Sequence, residues 1–80
     1  MIPTVTEVTD FDLITTVGVH GVDFYQKENS PFPNTYTGTL LVLQNAYGQY
    51  MQFAMVATAI RYRRRSSTGE WSAWLSFTLT

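Results

Sequence analysis

Apolar and polar residues alternate along this chain in short runs of period two, the spacing of a β-strand with one face in and one face out. The clearest run sets Ile60, Tyr62 and Arg64 against Arg61, Arg63 and Arg65 and predicts a strand. The polar cluster from Ser66 to Glu70 predicts a turn. After it, Trp71, Ala73, Leu75 and Phe77 alternate with Ser72, Trp74, Ser76 and Thr78, which predicts the returning strand of a hairpin. The same alternation places the two tryptophans on opposite faces, with Trp71, Leu75 and Phe77 expected in the core.

Upstream the pattern is similar but more broken. Residues 1–9, with Pro3 and a Thr/Val alternation, predict an extended lead-in joined to something N-terminal. Thr9 or Asp10 can cap a single helical turn that points Phe11 or Ile14 inward. Thr15 to Phe24 alternates with β-branched residues and predicts a strand, in which Gly18 and Gly21 mark a bulge or a close backbone approach. Tyr25 to Gly38, with Pro31 and Pro33, predicts a long loop that either functions or covers the core. Thr39 to Gln44 is a continuous apolar run, expected to be buried on both faces. A tight turn at Asn45–Gly48 leads into Gln49 to Val56, where Tyr50, Gln52, Ala54 and Val56 share one face and Met51, Phe53 and Met55 the other. The sum is a mainly β domain over residues 10–80, a small antiparallel meander of about five strands with one short N-terminal helical turn.

Composition adds a constraint on how so small a domain is held together. With 80 residues and no cysteine, the chain makes one domain without disulfides, which leaves association with other subunits as the means of supplementing a small core. Charged residues are only 14% and aromatics reach 15%, so the chain either hides surface in an assembly or displays aromatics for binding. The net charge of −1 gives no general pull toward nucleic acid or an anionic membrane, and no partner of either kind is expected. The N-terminus is too short and too polar in its continuation for a signal peptide, and no apolar run approaches the roughly eighteen residues of a membrane span.

The candidate chemistry is thin. One histidine and six scattered acids show no metal-ligand spacing, so neither metal nor cofactor is predicted. His20 and Asp23 fall on opposite faces of one strand, and Asp10, Asp12 and Asp23 form no carboxylate pair, so no catalytic residue is assigned. Arg61, Arg63 and Arg65 share a strand face, read as solvated or lying between subunits; with Tyr50 they are the candidate interface residues. Tyr25, Phe32, Tyr36 and Trp74 are the candidate ligand-binding residues, since aromatic faces stack on sugar rings; the alternative is that they pack in the core or an interface.

Several fragments together resemble the pyocin-knob domain family of bacteriophage and R-type pyocin tail fibres. They are Asp12-Leu13, Thr15-Thr16, Gly18-Val19-His20, Asn29-Ser30-Pro31, Gly38-Thr39-Leu40-Leu41-Val42, Tyr50-Met51-Gln52, Tyr62-Arg63-Arg64 and Gly69-Glu70-Trp71-Ser72-Ala73-Trp74, in that order from about Asp10 to Phe77. The chain departs from the family pattern at His20, where an aromatic is usual. The resemblance implies a small antiparallel β-domain, trimeric on a fibre axis and set between other tail-fibre segments on a virion tail. It implies a part in host adsorption and no catalytic residues; a bacterial surface glycan as partner is the expectation from the Tyr25 to Tyr36 loop and Trp74. A domain that itself binds surface carbohydrate, or a small β adaptor protein, are the alternative expectations.

Overall fold

The computed structural model describes residues 4–67 and 69–77. The first three residues of the expected lead-in, Thr68 of the last turn and Thr78 of the return strand lie outside them. Six strands form one sheet in chain order: β1 (Thr4–Val5), β2 (Gly18–Asp23), β3 (Thr37–Gln44), β4 (Tyr50–Val56), β5 (Ala59–Arg65) and β6 (Leu75–Ser76). Strands β2 to β6 are the antiparallel meander that the alternation predicts, and a single 3-10 turn at Phe11–Leu13 supplies the short helical element. Asp10 caps that turn by accepting the Asp12 N–H at 2.9 Å.

The N-terminal stretch does more than lead in. Thr4 and Val5 pair in parallel with His20 and Gly21, and Val8 is buried. His20 ties this edge down: its Nε2 donates to the Thr16 carbonyl at 2.7 Å, and Nδ1 meets the Thr6 hydroxyl at 2.8 Å.

Registry divides the sheet into two unlike faces. On the inner face lie Val22, Leu40, Val42 and Ala54, under a roof made by the 3-10 turn and the 24–36 loop. The roof packs through its own aromatics, Phe11 stacked on Phe24 at 5.4 Å and Phe24 edge-on to Phe32 at 5.4 Å. The roof comes so close to the sheet that a Cβ on Gly38 would lie 2.5 Å from the Phe24 ring and from the Met55 carbonyl. On the outer face, Val19, Leu41, Phe53, Tyr62 and Leu75 form one cross-strand row over β2 to β6. Leu43 and Met51 stand on one side of this row, and Met55, Ile60 and Phe77 on the other. The run Thr39 to Gln44 is therefore buried on one face only; Leu41 is half-buried and Leu43 exposed.

Candidate functional site

Three arginines on β5 organise the inner face. Arg61, Arg63 and Arg65 alternate with Ile60, Tyr62 and Arg64, and the fold turns the Arg61 row inward. The reading of that row as a solvated or inter-subunit face is thereby corrected for Arg63, which is 3% exposed and packed inside its own chain; Arg61, Arg65 and Tyr50 are half-buried beside it. Period-two alternation separates the two faces of a strand but does not say which one meets the chain's own loops.

Arg63 is the hub. Its guanidinium lies between two indoles, with Cζ 4.4 Å from the ring centre of Trp71 and 4.4 Å from that of Trp74. Nε donates to Gln52 Oε1 at 2.8 Å, and Nη1 donates to Asp12 Oδ1 at 2.7 Å in an ion pair. Gln52, directly across from Arg63 in the β4–β5 pairing, donates its Nε2 to the carbonyls of Phe11 and Ile14, both at 2.9 Å. Burial pushes the Arg63 guanidinium below its ordinary pKa, and Asp12 pulls it partly back. Nη2 of Arg63 is the one buried side-chain polar atom among the described residues that lacks a hydrogen-bond partner.

A bulge delivers both tryptophans to this hub. Arg65 pairs with Trp71 and Tyr62 with Leu75, so three residues, Ser72 to Trp74, stand opposite two, Arg63 and Arg64. The extra residue cancels the expected alternation. Trp71 and Trp74 share the inner face, while Leu75 and Phe77 turn outward, 50% and 51% exposed. The expectation that Trp71, Leu75 and Phe77 share a core face, with Trp74 opposite, is corrected on that ground. Each indole N–H then donates to a roof carbonyl, Trp71 to Asp12 at 3.0 Å and Trp74 to Asn29 at 2.8 Å.

The neighbouring arginines repeat the arrangement. Arg61 donates to the Pro31 carbonyl with its Cζ 4.8 Å from the Phe32 ring centre, and Arg65 donates to the Gly69 carbonyl at 3.0 Å with Tyr50 at 5.8 Å. The roof is irregular backbone, and its carbonyls at Phe11, Asp12, Ile14, Asn29 and Pro31 all accept from Gln52, a tryptophan or an arginine. Backbone acceptors left out of regular structure need donors, and these side chains supply them.

The four candidate ligand-binding aromatics are not gathered into one platform. Phe32 is 7% exposed and plugs the core, and Trp74 lies on Arg63. Tyr25 and Tyr36 stack on each other at 4.3 Å with planes 5° apart, and Tyr36 is 65% exposed. A surface hollow of about 650 Å³ opens beside the hub, lined by Asn29, Arg65, Glu70, Trp71 and Trp74 among others. Gln52 and Asp12 are site residues that the alternation alone does not mark. The available signal was a glutamine on the same strand face as Ala54 and Val56, amid apolar neighbours.

No three His, Asp or Glu gather at metal-binding distance, and no helix is long and apolar enough to cross a membrane, among the described residues. Comparison with protein-family models, curated proteins and solved structures gave no match.

Proposed function

We propose that this chain is a non-enzymatic structural and attachment module of a phage-type tail fibre or receptor-binding protein. In this reading it acts as a homotrimer, joined to other tail-fibre segments and carried on the virion tail to the host surface. The supporting observation is a convergence. Asp12, Asn29, Gln52, Arg63, Trp71 and Trp74 come from five separate fragments of the knob resemblance and meet in one bonded network. Fragments of one shared domain are expected to meet in this way. A network that spends its donors on its own backbone makes a rigid spacer, which suits a fibre better than a reaction centre.

Antibody raised against the chain, applied to phage-like particles released by the encoding organism, should decorate tail fibres in electron micrographs. Label confined to cell bodies contradicts the reading.

Direct contact with bacterial surface glycan is the second reading, favoured by the exposed Tyr25–Tyr36 stack. A glycan-array signal that Tyr36→Ala removes at unchanged melting temperature would support it. An array without signal counts against it.

A further inference from the structure

The outer face of the sheet carries ten apolar side chains, Val19, Leu41, Leu43, Met51, Phe53, Met55, Ile60, Tyr62, Leu75 and Phe77, and none of them is buried. From β2 to β6 the face spans about 19 Å at a strand spacing of about 4.8 Å, and about 20 Å along the strands, a plan area on the order of 400 Å². A patch of that size is within the range of the largest patch on a soluble monomer, which is often a functional surface, and the area is about half of what one partner brings to a stable interface. A groove of about 290 Å³ runs among Leu41, Leu43, Phe53, Met55, Ile60 and Phe77 and has room for side chains from a facing surface.

We infer that this face is where copies of the chain meet, an inference that rests on the homotrimeric part of the proposed function and gives it a location. Two observations choose a second copy as the occupant. First, the sheet's edges are poor templates for association: β1 and β6 are each two residues long, which leaves the face as the available β surface. Second, the face is self-complementary in charge. Asp23, exposed at the far end of β2, and Arg64, exposed at the opposite end of β5, both point outward at opposite corners of the apolar field. Among the described residues neither is in an ion pair within its own chain. Around a three-fold axis each such face can meet the next along its flank, burying apolar side chains between them and setting the acid-bearing β2 side of one copy toward the base-bearing β5 side of the next.

Sedimentation velocity at micromolar concentration provides the test, using wild type, Phe53→Lys, Arg64→Glu, and Arg64→Glu combined with Asp23→Lys. Wild type should sediment at trimer mass, and Phe53→Lys should run as a monomer with unchanged β circular dichroism. Arg64→Glu should weaken association about tenfold, and the double reversal should restore it. The reversals lie on exposed corners, so they keep the question answerable if Phe53→Lys fails to fold. A trimeric Phe53→Lys variant, or reversals with no effect on mass, overturns the assignment of this face and leaves the trimer standing. A monomeric wild type overturns both; flotation of that monomer with phosphatidylcholine vesicles would identify a lipid as the occupant instead.

Discussion

The inner and outer faces of the sheet both depart from the usual rule for an antiparallel sheet with one covered side. Beside the apolar core of Val22, Leu40, Val42 and Ala54, the covered face holds His20, Gln52, Arg61, Arg63 and Arg65, whereas the uncovered face holds leucines, methionines and aromatics. The cause lies in what covers the inner face. A helix arrives with its backbone hydrogen bonds already made and needs only apolar contact, but this roof is loop, and its free carbonyls must find donors. Arginine suits the task because its planar fork serves acceptors in several directions while its faces lie on aromatic rings. The outer face has no roof from its own chain, and its apolar content is the ground for placing a contact between copies there.

Adjacent residues on β5 offer the strongest test of this contrast. Arg63→Ala should cost about 3–5 kcal/mol, since it leaves Gln52 Oε1 unpaired and a gap between two indoles. Arg64→Ala, one residue on but outward, should change monomer stability by less than about 0.5 kcal/mol. Gln52→Leu keeps the volume but strips donors from the Phe11 and Ile14 carbonyls, and about 2–4 kcal/mol should be lost. Urea melts of the variants settle the matter; equal costs at positions 63 and 64 would mean that the two faces do not differ as described.

A smaller difference is expected within the roof. Phe32 touches Phe24 and underlies Arg61, so Phe32→Ala should cost about 3 kcal/mol. Tyr36 shares the same loop but stands in solvent against Tyr25, and Tyr36→Ala should cost under about 1 kcal/mol. Thermal melts in which the order is reversed would show that the loop's outer aromatics hold the roof in place.

Much of the fold was legible in the sequence because the β rule is local. Alternation and turn residues located the meander, the Asn45–Gly48 turn and the capped 3-10 turn. The assignment of faces was not legible. Inverting a strand costs nothing in periodicity, so the Arg61 row could be inside or outside until the roof's carbonyls were seen. The bulge before Leu75 was equally hidden, since neither Ser72 nor Ala73 carries a signal for an extra residue, and it alone decides that both tryptophans reach Arg63. The expectation that the loop from Tyr25 to Gly38 either binds a ligand or covers the core was open; the structure gives Phe32 to the core and leaves Tyr36 outside.

The smallest expected effect concerns how the roof is pinned at its rim. Asp10 Oδ1 accepts from the Asn29 side chain at 2.8 Å and from the Asp12 N–H, and these bonds hold its carboxyl below the usual pKa, with the more distant Arg63 charge adding slightly. A carboxyl whose folded pKa is lowered stabilises the fold above its unfolded value of about 4, and that contribution fades as the pH falls through the lowered folded value. Asp10 sits half-buried at the rim with its carboxyl reached by solvent, so the effect should stay within about 1 kcal/mol. Asp10→Asn keeps an acceptor for the Asp12 N–H but removes the charge. Its stability deficit against wild type should therefore be largest near neutral pH and should close as the pH falls below about 4. Urea midpoints taken across that range provide the measurement. A deficit that stays constant with pH would mean that the cap's geometry, and not its charge, pins the rim of the roof.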